Sequence, residues 1–195
     1  MKKSNNTKNK IVSSAWKLFY SQGFENTTID DIVADSGTSK GSFYHYFSGK
    51  DDLLNTLAIL FDEKYDELKI SMDPKLGPIE KLLYLNHELF LMIENTVSLD
   101  LLRRLFAAQL LARADRSLLD TSRTYYKLLR SIALEGQEKG IFKDELTTND
   151  IMKAYAVLER GLMYDWCLCN GDYSLCNYSA QVLPTLLQGF CKKTD

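Results

Sequence analysis

Apolar residues in this 195-residue chain recur three to four positions apart, and no stretch sustains alternation at every second residue. That periodicity builds helices with one buried face and does not build a half-buried sheet, so the expected fold class is all-α. Ile11, Ala15, Leu18 and Phe19 form the first such stripe, closed by Gly23. A short helix follows, with Thr28 as its cap, Asp30 and Asp31 at its positive end, and Ile29, Ile32 and Val33 facing inward. Gly37 breaks it. Ser39 can then cap a third helix running to about Phe47, with Phe43 and Phe47 as its buried pair.

Ser48 and Asp51 stand at capping-box spacing and predict a longer helix from about 50 to 70. The "MDPKLGP" stretch cannot continue it, and Pro78 suits the first position of the next helix, about 78 to 95. Further helices are expected at about 98–111, 117–138, 148–169 and 175–191, with Thr147 or Thr148 as a cap, for about nine in all. The 45% hydrophobic content can bury a substantial core.

The formal net charge of −2 hides an asymmetry. Residues 1–50 hold seven Lys against four acids, a balance of +3, which leaves −5 for the remainder. A polyanion would therefore meet the first fifty residues. No apolar run reaches eighteen residues and the N-terminus lacks the apolar stretch of a signal peptide, so a cytoplasmic chain without a membrane segment is expected. Cys167, Cys169, Cys176 and Cys191 are expected to be reduced. Cys167 and Cys169 point to different sides of one helix with no His nearby, so no metal site and no cofactor is expected.

The segment "TSKGSFYHYFSGK", residues 38–50, is too polar for a core helix and too aromatic for a solvated one. Gly41 inside a short helix costs roughly 1 kcal/mol relative to Ala, and close approach of the backbone to a partner is one reason to keep it. Ser39, Lys40 and Ser42 can hydrogen-bond to base edges or phosphates. Tyr44, His45 and Tyr46 offer ring bodies with polar tips, and Lys50 stands where an ammonium can grip a phosphate. A Gly-rich phosphate loop and a nucleophile signature are both missing, so an enzyme is not expected.

Residues 11–54, "IVSSAWKLFYSQGFENTTIDDIVADSGTSKGSFYHYFSGKDDLL", closely resemble the DNA-binding domain of the TetR (AcrR-like) family of transcriptional regulators. The matching positions are Ala15, Leu18 and Phe19; Gly23 and Phe24; Thr27 and Thr28; Ile32; Gly37; Ser39, Lys40 and Gly41; Phe43 and Tyr44; Phe47; Lys50 and Leu53. Asp35, Ser36 and Thr38 depart from the usual pattern, which touches base preference more than fold.

The resemblance implies an N-terminal helix-turn-helix DNA-binding domain over residues 1–50, with the motif at about 28–47. It also implies a C-terminal effector-binding and dimerisation domain over residues 51–195. Thr28 then contacts a phosphate; Ser39, Lys40 and Gly41 form the base-reading turn; Ser42, Tyr44, Tyr46 and Lys50 clamp the backbone, with His45 beside them. The implied molecule is a homodimeric repressor on a palindromic operator in double-stranded DNA, released by a small-molecule effector of hydrophobic or aromatic character. An activator, or a coregulator whose second domain binds a protein, is the alternative, and a helical adaptor that binds no DNA is another. Tyr84, Phe106, Gln109, Tyr126, Tyr164 and Trp166 are candidate effector contacts, with His87 and Arg113 as further polar groups near apolar stretches. The dimer is expected through the last two helices, whose apolar faces carry Ile151, Ala154, Tyr155, Leu158 and Leu162, then Val182, Leu183, Leu186, Leu187 and Phe190.

Overall fold

A computed structural model describes residues 2–111 and 116–192, with side chains from residue 6. Nine α-helices follow in order among the described residues: α1 Lys2–Gln22, α2 Ile29–Ser36, α3 Lys40–Tyr46, α4 Leu57–Ser71, α5 Pro78–Thr96, α6 Leu99–Leu111, α7 Thr124–Glu138, α8 Thr148–Leu168 and α9 Leu175–Leu187. The chain divides into two compact units, Met1–Ile59 with Asp100–Ser117, and Leu60–Leu99 with Leu118–Asp195. No described helix is long and apolar enough to cross a membrane. Arg113 lies outside the described residues.

In the first unit the α1 stripe is buried as the spacing predicts, with Ile11, Ala15 and Phe19 inside. Gly23 ends the helix at φ +86°, a left-handed conformation that disfavours side chains, and its N–H donates to the Phe19 carbonyl at 3.1 Å. Thr28 caps α2 in a full capping box: the Asp31 N–H donates to Thr28 Oγ1, and the Thr28 N–H donates back to Asp31 Oδ2. Gly37 closes α2 at φ +62°. Ser39 caps α3 by accepting from the Ser42 N–H, and Phe43 and Phe47 lie buried with ring centroids 5.6 Å apart.

The junction after α3 differs from expectation. Ser48 pairs with Asp52 instead of Asp51, giving both its N–H and its hydroxyl to that carboxylate. Lys50–Thr56 then winds as a tight 3-10 helix before α4 begins at Leu57. Its geometry is held from outside, because the Trp16 indole N–H donates to Thr56 Oγ1 at 2.8 Å while that hydroxyl donates to the Leu53 carbonyl. Such cross-chain anchors override local propensity. Helix α6 completes the unit, burying Leu101, Leu102 and Leu105.

In the second unit α5 begins at Pro78 as expected and packs against α9 and α7. Thr147 caps α8 in a capping box with Asp150. The expected helix 117–138 starts only at Thr124; Ser117–Leu119 is a 3-10 turn, and Asp120 draws the Ser122 N–H into a separate turn. The last helix stops at Leu187, not 191. Beyond it Phe142 and Cys191 form an isolated antiparallel bridge, with the Lys143 and Lys192 N–H groups donating to the Phe190 and Ile141 carbonyls. Gly136 leaves room for the buried Phe142 ring, since a Cβ there would stand 2.1 Å from Phe142 Cδ2.

Candidate nucleic-acid interface

Helix α3 is amphipathic over its seven residues. Phe43 is fully buried, and Phe47 just beyond the helix is nearly so. Ser39, Lys40, Gly41, Tyr44 and His45 are exposed, while Ser42 and Tyr46 are half-buried. Positions 40, 41, 44 and 45 share one helical face, so the two inward phenylalanines fix which side chains meet a partner. Tyr44 is 56% exposed, with its ring edge against Phe43 at 5.5 Å.

Gly41 has no internal use for its missing side chain, because a Cβ there would meet only Ser39 Oγ, at 3.9 Å. The helix-propensity cost of this glycine is therefore not offset by packing within the unit.

The exposed charges have partners in this DNA-free state. Lys40 Nζ pairs with Asp30 Oδ1 at 2.7 Å, and this contact holds the Lys40 ammonium above its ordinary pKa. Thr28 Oγ1 donates to Asp31 Oδ2, which together with the Thr28 N–H holds the Asp31 carboxyl below the usual range. Lys50 is turned inward: its Nζ donates to the Phe24 carbonyl at 2.6 Å and the Thr27 carbonyl at 2.9 Å, and lies 4.3 Å from the Phe24 ring centroid. Arg104 of α6 also contacts that ring, at 4.8 Å, and reaches Glu25 and Asp100. Sequence reasoning missed Asp30 as a partner of Lys40 and Arg104 altogether. Nothing local ties residue 104 to residue 24.

The six candidate effector residues do not gather into one described site. Phe106 and Gln109 belong to the first unit, where the Gln109 amide donates to Asn55 Oδ1 and Ser117 Oγ. In the second unit Tyr126 donates to the Leu118 carbonyl and accepts from Arg160, and the Trp166 indole donates to the Tyr173 carbonyl. Tyr164 is 47% exposed. Tyr84 lines a cavity between α5 and α9, together with His87.

The second unit instead centres its polarity on a residue that the sequence reading passed over. Glu159 is 1% exposed, and its carboxyl is met by the Tyr125 hydroxyl at 2.6 Å, the Tyr155 hydroxyl at 2.9 Å, the Asn86 amide at 3.0 Å and, more distantly, the Tyr65 hydroxyl at 3.5 Å. Burial raises the Glu159 pKa against the pull of those hydrogen bonds. One signal was readable: residues 151, 155, 159, 162 and 166 make a single α8 stripe, and Glu159 is the lone acid on it.

The apolar faces of α8 and α9 divide. Ile151, Tyr155, Leu162, Leu183, Leu187 and Phe190 are consumed within the unit, so they are not the surface that the sequence reading offered to a second copy. Val157, Tyr164 and Leu168 of α8, and Tyr178 and Leu186 of α9, remain exposed.

Comparison with known proteins follows this geometry. Residues 11–57 match the family model described as bacterial regulatory proteins, tetR family. The HTH-type transcriptional regulator HbdR of Aromatoleum sp. (strain CIB) is 37% identical over 76 residues, covering 38% of this chain and 33% of that protein. Three of the first relatives are matched over only 23%, 33% and 40% of their own length. The HTH-type transcriptional repressor KstR2 of Mycobacterium tuberculosis aligns over 97% of this chain and 95% of its own length, at 23% identity. Among solved structures, Thermus thermophilus FadR, a TetR-family transcriptional repressor in complex with lauroyl-CoA, superposes with a TM-score of 0.71 at 20% identity, covering 96% of each chain. The helix-turn-helix head with its matched sequence, and a fold shared along nearly the whole length, place this chain in the tetR family of bacterial regulatory proteins.

Proposed function

We propose that the protein is a DNA-binding transcriptional regulator, most simply a cytoplasmic homodimeric repressor that a small molecule releases from a palindromic operator. The observation that carries the reading is the outward face of α3, where Lys40, Gly41, Tyr44 and His45 stand clear of a core pinned by Phe43 and Phe47. In this reading residues 1–50 read DNA and residues 51–195 bind effector and dimerise. Lys40 leaves Asp30 for a base edge or phosphate, the bare Gly41 lets the backbone approach, and Tyr44 and Tyr46 rest on the sugar-phosphate chain with Ser42. Thr28 and Lys50 contribute phosphate contacts at the ends of the motif. Lys50 reaches outward only if it gives up one of its two carbonyl partners.

The exposed α8 stripe of Val157, Gly161, Tyr164 and Leu168, with Tyr178, Val182 and Leu186 of α9, supports dimerisation through those helices. Two heads would then meet half-sites about 34–36 Å apart or a multiple of that. The likeness to FadR bound to lauroyl-CoA supports a small-molecule effector in the second unit.

Operator sites selected from random DNA, followed by fluorescence-anisotropy titration, test the proposal. Tyr44→Ala should weaken every selected site by a similar factor, whereas Lys40→Ala should also change which base is preferred. Unchanged binding by both variants, or failure to select any site, rejects it.

A further inference from the structure

The cavity between α5 and α9 encloses about 300 Å³, the lower end of the range for ligand sites. Tyr84 and His87 of α5 and Cys176, Ser179, Ala180 and Pro184 of α9 line it, with Asn86 at its floor. All belong to the second unit. Ser179 and Asn86 are fully or almost fully buried, an unusual pair of polar side chains at the base of a small recess.

The hydrogen donors of this lining are already directed elsewhere. The Ser179 hydroxyl donates to Asn86 Oδ1, the Asn86 amide donates to Glu159 Oε1, and the Cys176 thiol donates to the His87 carbonyl. What remains available is acceptor capacity. Ser179 Oγ keeps its lone pairs. Pro184 adds another acceptor: it sits inside α9 and has no N–H, so the Ala180 carbonyl four residues earlier loses its usual helical donor. Both residues line the cavity.

The electrostatics lean the same way. No Lys or Arg lines the recess among the described residues. Glu94, which caps α9 by accepting the Leu175 and Cys176 N–H groups, and Glu88 both push the Cys176 thiol pKa upward, in addition to its burial. Lys64 offsets part of Glu88, at 3.9 Å. A ligand entering here meets acceptors, negative potential and one tyrosine ring, which favours a positively charged donor over a neutral or anionic one.

We propose that the α5–α9 cavity binds a small organic cation, its ammonium within reach of Ser179 Oγ and the Ala180 carbonyl and its apolar body against Tyr84. The site faces away from the α9 stripe of Tyr178, Val182 and Leu186, so a second copy on that stripe leaves it open. It sharpens the reading of an aromatic effector by assigning a charge, and to that extent rests on it. Binding is a property of the second unit and is measured without DNA, so failure here leaves the operator reading standing, and loss of that reading leaves this site standing.

The test is calorimetric titration of the full chain with benzylamine, benzyl alcohol and benzoate at neutral pH, where the first is cationic and the last anionic. Benzylamine should bind about tenfold more tightly than benzyl alcohol, and benzoate should not bind. Ala180→Trp, an exposed position that fills the mouth, should abolish the benzylamine signal while the melting temperature stays unchanged; Tyr84→Leu should weaken it. Equal affinity for the alcohol, no benzylamine binding, or undiminished binding by Ala180→Trp overturns the proposal.

Discussion

The two units handle a buried charge in opposite ways. In the first, the Lys50 ammonium is tied to two backbone carbonyls and the Phe24 ring, at the edge of a surface whose remaining polarity points outward. In the second, the Glu159 carboxyl is sealed among three tyrosines and an amide, and the polarity points inward. A head that must meet a polyanion can leave its cations in water, where pairs such as Lys40–Asp30 open at little cost. An enclosed carboxyl must have its hydrogen bonds met by neighbours in the fold, because an unmet polar group costs far more away from solvent.

Four substitutions break or sharpen that contrast. Phe43→Ala should have the largest effect, about 3–5 kcal/mol by urea denaturation, because it empties the fully buried position that orients α3. Gly136→Ala should cost about 1–3 kcal/mol in the second unit, since the new methyl overlaps the Phe142 ring; a compensating Phe142→Leu should recover part of it. Glu159→Gln tests the inward carboxyl through pH. The folded-state pKa of Glu159 lies above its ordinary 4.5, so the stability this group contributes is complete below that value and is lost as pH rises through the folded pKa. The Gln variant carries no such titration, and denaturation midpoints across pH should show the wild type losing ground to it on the alkaline side. A constant difference between the two would place the Glu159 pKa at its ordinary value. Tyr44→Ala should be the mildest, within about 0.5 kcal/mol of wild-type stability, since its exposed ring holds little of the head together.

The contrast also explains what could be read from residues alone. The head was legible because its determinants are local: Thr28 and Asp31, Ser39 and Ser42, Gly23 and Gly37, and the Phe43–Phe47 pair all act within four positions of one another or close a single helix. The 3-10 segment at Lys50–Thr56 escaped because its anchor, Trp16, is forty residues away. The Glu159 cluster gathers donors from residues 65, 86, 125 and 155, a convergence that no spacing rule encodes, although a single acid on an apolar stripe marked its centre. Proposed contacts such as Trp166 and Tyr126 have hydrogen bonds to carbonyls of nearby turns instead, which periodicity could not distinguish from a ligand-facing role.

One feature of the packing bears on how the molecule comes into being. The first unit is assembled from two separate lengths of chain, with α6 contributing Arg104 and Gln109 from beyond residue 100. A nascent polypeptide that has cleared the ribosome only as far as α4 carries the DNA-reading helix but not the piece that finishes its support. Roughly sixty more residues must be synthesised first, about 3 to 12 seconds at about 5–20 residues per second, during which the intervening α5 emerges without its later partners α7 and α9. Operator competence is thereby withheld until translation has passed the midpoint of the message.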